Sequence, residues 1–105
     1  MAPPRPLSVK IRPSRRAGKK MVAVFALDNG RTRTVHFGAE GMSDYTLHRD
    51  AARKRRYLAR HAAREDWGAP LTAGALSRWV LWNKPTRRAS IADFKRRFRL
   101  SRPRA

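Results

Sequence analysis

Between Leu71 and Thr86 runs the only long stretch of this chain that is mostly uncharged, and it holds two of the three Trp residues, Trp79 and Trp82. Leu71, Leu76, Val80 and Leu81 accompany them, while the flanking segments carry nearly all of the positive charge. A chain patterned this way must bury that stretch and turn its cations outward, because an isolated charge is costly to remove from water. The pattern predicts a short buried helix inside a very basic shell.

The shell is extreme. Lys and Arg total 26 against 7 Asp and Glu, a formal charge of +19 on 105 residues. That length suits one small domain with a modest core. Hydrophobic content of 41% argues against wholesale disorder. Self-repulsion at this charge density works against a compact monomer, and a polyanion or an acidic protein would relieve it. Counterion release would help drive binding to nucleic acid. Arg greatly outnumbers Lys, which fits bidentate contacts to phosphate or carboxylate. The absence of Cys excludes disulfides and cysteine-ligated zinc. No apolar run is long enough to form a transmembrane segment. The N-terminus lacks the apolar region of a secretory signal, so secretion is not expected.

Taken in order, residues 1–20 read as a basic, flexible N-terminal arm containing a candidate edge strand, Leu7 to Arg12, closed by Pro13. Met21 to Leu27 is the clearest strand, rich in apolar and β-branched residues. Asp28, Asn29 and Gly30 form a turn signal, and Arg31 to Phe37 alternates as a second hairpin strand. Asp50 is placed to cap a helix over Ala51 to Arg64, with Gly68 and Pro70 beyond its end. Thr72 caps the central helix, which runs to about Asn83 before Pro85. Ser90 and Asp93 fit a further helix start, followed by the stripe Ile91, Phe94 and Phe98. The fold class is therefore α+β: an N-terminal antiparallel β-hairpin or three-stranded sheet followed by about three helices. Residues 21–98 form one small domain, and 99–105 a basic C-terminal tail. The expected core is Val24, Phe37, Tyr57, Leu58, Leu76, Trp79, Val80, Phe94 and Phe98.

Three basic clusters are candidate nucleic-acid contacts: Arg15, Arg16, Lys19 and Lys20 in a loop; Arg53, Lys54, Arg56 and Arg60 on one helix; Lys95, Arg96 and Arg99 at the end of another. None is a specific motif, and a charge run alone can be a solvated face. The last two helices have the spacing of a helix-turn-helix, but the second is short and bears no Asn or Gln, so a helical hairpin completing the core is the preferred reading. Most aromatics are needed for the core; Trp67 and Trp82 are the best candidates for an interfacial ring. Catalysis has little support. His36, His48 and His61, taken with Asp44 or Asp50, match no compact ligand spacing, and no paired carboxylates stand out. The expectation is a non-enzymatic protein with no cofactor and no metal.

Four segments carry a resemblance: HFGAEGMSDYTLHRD at 36–50, KRRYLARH at 54–61, LTAGALSRWVLWNKPT at 71–86 and SIADFKRRF at 90–98. Together they cover most of residues 21–98, and their combination resembles a family of small, basic, poorly characterised proteins of large DNA viruses infecting algae and amoebae. The resemblance carries no catalytic residue to transfer. It implies a virus-associated protein, packaged in or assembled with the virion, located there or in the host nucleus or cytoplasm. The leading expectation is sequence-nonspecific binding to the phosphate backbone of DNA or RNA. The alternative is a minor structural protein of a capsid or large assembly, whose Arg-rich surface meets an acidic or capsid protein partner.

Overall fold

An unbroken apolar run such as Met21 to Leu27 belongs at the centre of a sheet, and the structure puts it there. A computed structural model describes residues 2–100. Strand β2 (Lys19–Leu27) lies between β1 (Pro6–Pro13) and β3 (Thr32–Ala39), antiparallel to both. The sheet therefore begins at Pro6, within the stretch read as an arm. Its prolines are tolerated because β1 is an edge strand, where a missing N–H need not break the ladder. The turn after β2 places Gly30 at φ +82°, the region that favours glycine. Arg5 N donates to Asp28 Oδ1 at 3.0 Å, and Asp28 N donates to Arg5 O at 2.9 Å. These two bonds fasten the start of β1 to the hairpin.

Register decides which side of the sheet is inside. Val9 pairs with Phe25, Ile11 with Ala23, Ala23 with Val35, and Met21 with Phe37. These residues share one face, since side chains alternate along a strand. Val9, Met21, Ala23, Phe25 and Phe37 are all buried. Val24 faces the other way and is only part-buried, so it leaves the expected core.

The central and last helices cover the inner face. In order the helices are α1 (Tyr45–His48), α2 (Ala51–His61), α3 (Ala73–Leu76) and α4 (Arg87–Arg97). Asp44, Asp50, Thr72 and Thr86 cap them by accepting backbone N–H bonds, each relieving an end that helix geometry leaves unpaired. The architecture is a three-stranded antiparallel sheet followed by four helices, of which α1 is a single turn and α3 has only four residues in α form. Among the described residues no helix is long and apolar enough to cross a membrane.

Helix α2 ends at His61 rather than Arg64, and two further helix assignments differ from the sequence reading. Thr86, not Ser90, caps α4, accepting from Ala89 N at 3.1 Å. Ser90 is buried within the helix, where its hydroxyl accepts from Lys84 N at 3.0 Å and ties the preceding loop down. The central helix leaves the α form after Leu76 and continues as a π-helical turn over Ser77–Leu81, closed by Trp82 N donating to Ser77 O at 3.1 Å. This wider turn brings Leu76, Val80 and Leu81 inward together and leaves Trp79 part-exposed. With Phe94 from α4 and Leu100 beyond it, they complete the core. Phe98 is part-buried at its margin, whereas Tyr57 and Leu58 are part-buried outside it and leave the expected core.

Helix α2 has no fully buried residue, so its attachment is local. Tyr57 stacks on Trp82 with centroids 4.2 Å apart and planes 4° from parallel, and His61 stacks on Tyr57 at 4.2 Å. Lys54 Nζ donates to Asn83 O at 2.7 Å and lies 4.8 Å from the Tyr45 ring. Burial pushes the Tyr57 phenol pKa up to about 12. Tyr57→Ala is expected to remove amide-exchange protection over Ala51 to His61 while leaving the sheet protected; loss of protection everywhere at once would mean that α2 is integral to the core.

Candidate nucleic-acid interface

The basic surface is set by what the few acids do. All 7 carboxylates have internal partners. Asp28, Glu40, Asp50 and Asp66 accept backbone N–H bonds that close turns or cap a helix. Glu65 lies 3.7 Å from His61 Nδ1. Asp44 and Asp93 are buried among cations. Among the described residues, Lys20, Arg87, Arg96 and Arg97 are the Lys and Arg that pair with a carboxylate. The other described Lys and Arg have no carboxylate within ion-pair distance.

The buried acids hold the frame beneath that surface. Burial pushes the Asp93 carboxyl up, but the Asn83 amide at 2.7 Å and the guanidiniums of Arg97 and Arg96 outweigh it and hold the group below the usual carboxylate range. Asp44 behaves alike. Lys20 Nζ donates to it at 2.6 Å and also to Met42 O at 2.6 Å, with only 14% of the Lys20 side chain exposed. Lys20 is thereby taken out of the solvent-facing set, and Lys54 is turned inward by its bond to Asn83 O.

The other candidate cations fall in three places. Arg53, Arg56 and Arg60 are exposed on α2. Lys95, Arg96 and Arg99 surround a shallow hollow with Leu100, although Arg96 also reaches Asp93 at 2.8 Å. Arg15, Arg16 and Lys19 project from the β1–β2 loop, which is held firmly in place. Ser14 N donates to Lys20 O at 3.1 Å, Lys19 N to Arg16 O at 3.2 Å, and Gly18 and Glu40 exchange two hydrogen bonds. Gly18 sits at φ +82°, which lets this loop close tightly.

This loop borders a cleft of about 670 Å³ on the outer face of the sheet, lined by Arg12, Ser14, Arg15, Val22, Val24, Thr34 and His36. A second cleft of about 480 Å³, lined partly by Arg16, Lys19 and Arg33, shares Thr34 and His36 with the first. Loss of hydration lowers the His36 pKa, and Arg16 and Lys19 lower it further. Arg12, Arg33 and His36 are not among the nucleic-acid contacts expected from the sequence. Strand alternation was the available signal: Arg12, Val22 and His36 align across the sheet once the register is known.

Trp67 and Trp82 are both part-buried and engaged internally. Trp67 O accepts from Trp79 Nε1 at 2.8 Å, and the Arg78 guanidinium lies 5.4 Å from the Trp67 ring. Trp82 is occupied by the Tyr57 stack and has His48 at 5.3 Å. Each ring thus has an internal partner.

The histidines do not converge. His36 contacts Ser14 Oγ at 2.7 Å through Nδ1, while His48 and His61 lie at opposite sides of the Tyr57–Trp82 stack. The Ser14 hydroxyl also accepts from Arg16 N at 3.0 Å, the geometry of a turn-closing serine. Among the described residues no three His, Asp or Glu side chains are grouped to hold a metal ion.

Residues 9–61, half of the chain, match a family model described as a family of unknown function, DUF5754. The match takes in β1 from Val9 onward, β2, β3, the basic loop and the first two helices. No curated protein and no solved structure matches the chain.

Proposed function

The chain belongs to that family of unknown function, which brings no activity with it, and we propose that the protein is a non-enzymatic, sequence-nonspecific binder of nucleic-acid phosphate backbones. One observation carries this reading: in a chain of net charge +19 every carboxylate is engaged internally, and most of the exposed Lys and Arg among the described residues have no acid opposite them. Arg53, Arg56 and Arg60 on α2, Lys95, Arg96 and Arg99 near the end of α4, and the loop cations are proposed to share the phosphate contacts. Association with a viral genome or virion rests on the sequence resemblance drawn above.

The reading predicts a steep salt dependence. Affinity for random-sequence DNA or RNA should fall about a thousandfold or more between roughly 50 and 200 mM salt if six or more phosphates are neutralised. Fluorescence anisotropy at several salt concentrations measures it. No binding to DNA or RNA at low salt would refute the proposal.

A second reading, a structural component acting through protein contacts, draws on Met42 and Leu47, which are 65% and 61% exposed. A stoichiometric complex with an assembly protein that survives nuclease treatment would favour it.

A further inference from the structure

The helices cover one face of the sheet, yet the central strand is apolar on both. Val22, Val24 and Ala26 of β2 point to the outer face, beside Lys10 and Arg12 of β1 and Thr34 and His36 of β3. A strand with water on one side ordinarily alternates apolar with polar residues, and a continuous apolar run is the pattern of a strand covered on both sides. Val22 is 6% exposed, screened by its cationic neighbours and the adjoining loop, whereas Val24 and Ala26 remain partly open. The outer face is thus an apolar floor between cationic walls.

Two clefts make up a trough that starts on this face and wraps the β3 edge, where Arg33 and Val35 have the inner-face register and Leu71, Thr72 and Ala73 join the lining. Thr34 and His36 line both, so the space runs from Arg12 and Arg15, over edge strand β3, to Arg16, Lys19 and Arg33. No carboxylate lines either cleft. A second copy of this chain is a poor occupant, because two molecules of charge +19 repel. A duplex would meet the cations with its phosphates but leave the valine floor uncovered. A single strand satisfies both, with phosphates on the arginines and a sugar or base edge over Val24 and the His36 ring.

We infer that this trough is the docking site for a single-stranded nucleic-acid segment, with Arg12 and Arg15 holding one phosphate group and Arg16, Lys19 and Arg33 the next. The inference rests on the phosphate-binding reading above and gives it a location on the sheet and its β3 edge, beside the start of α3. The loop is pinned to β2 and to Glu40 before any ligand arrives, so its cations are already positioned.

The test compares two variants with equal charge loss, measured on oligo(dT) of about ten nucleotides. One combines Arg12→Gln, Arg15→Gln and Arg33→Gln; the other combines Arg53→Gln, Arg55→Gln and Arg56→Gln on α2. All six side chains are exposed, and unchanged thermal midpoints would verify folding. The trough variant should lose at least about tenfold more affinity and lower the log–log salt slope by about two to three. The His36 titration midpoint should rise when oligo(dT) binds the wild-type protein. Equal loss in both variants, or an unmoved His36, would overturn the trough while leaving phosphate binding in place. No wild-type binding to any nucleic acid would remove both. Preferential binding of poly-glutamate, weakened by the trough variant alone, would overturn the nucleic-acid assignment and give the site to an acidic protein.

Discussion

Asp44→Asn is expected to lower folding stability by about 3–5 kcal/mol, the usual cost of removing one partner from a buried ion pair. Asp44 is 0% exposed and joins three parts of the fold. Its carboxylate caps α1 through Thr46 N at 2.9 Å, accepts from Lys20 on β2 at 2.6 Å, and lies 3.4 Å from Arg87 at the start of α4. The amide of Asn keeps the size and a cap acceptor. It removes the negative charge and leaves the Lys20 ammonium in its pocket with the Met42 carbonyl. Burial alone would raise the Asp44 pKa, but the hydrogen bonds from Lys20 and Thr46 and the charges of Lys20 and Arg87 lower it below its ordinary 3.8. A depressed folded pKa means that the stabilisation is fully present above the ordinary value and disappears as pH falls through the folded one. Urea unfolding at neutral pH and in acid should therefore show a large acid loss in the wild type and a smaller one in Asp44→Asn. Asp93, lowered in the same direction, maintains part of the acid sensitivity. A wild-type midpoint for Asp44→Asn at neutral pH would show that the junction is not structural.

Phe94→Ala is expected to cost a similar amount, about 3–5 kcal/mol, through lost burial and the cavity left behind. Phe94 is 0% exposed, with Phe25 of β2 at 6.4 Å edge-on and Phe98 at 5.1 Å. It connects the last helix to the centre of the sheet, so the gap cannot close without moving one layer against the other. The sequence alone points to Trp79 for an effect of this size. The structure leaves Trp79 part-exposed, with the Arg78 and Arg97 guanidiniums 4.2 and 3.8 Å from its ring. Trp79→Ala should therefore be the milder change, and denaturant midpoints of the two variants will rank them. A milder Phe94→Ala would shift the centre of the core toward the π-helical turn.

The elements were readable where local chemistry dictates them. Asp28 to Gly30 announces a turn, Asp50 and Thr72 announce helix starts, and the apolar run of β2 announces a strand. The sides of that strand were not readable, because a run without alternation gives no sign of which residues face inward. Val24 was therefore assigned to the core, while Met21, Ala23 and Phe25 occupy it. The central helix misled for a different reason. Its expected face follows a 3.6-residue period, and the turn at Ser77–Leu81 inserts a wider step that no local residue announces. Among the candidate contacts, exposure at Arg15, Arg16, Arg53, Arg56 and Arg60 agrees with a charged surface. Lys20 does not, because its partner Asp44 lies 24 positions away and a pair so distant in sequence leaves no periodic trace. The trough was hidden similarly: it requires the pairing of β1 with β2 and of β2 with β3 before Arg12 and His36 become neighbours of Val22.

With 26 Lys and Arg, 7 Asp and Glu and no Cys, the protein is a polyelectrolyte of nearly fixed charge. From mildly acidic to mildly alkaline conditions, only the 3 His belong to a side-chain type whose ordinary titration falls in range. Acidity is therefore a weak control over its surface, and ionic strength a strong one. A compartment that dilutes its salt tightens every phosphate contact together, and one that concentrates salt loosens them together, with no residue acting as the switch.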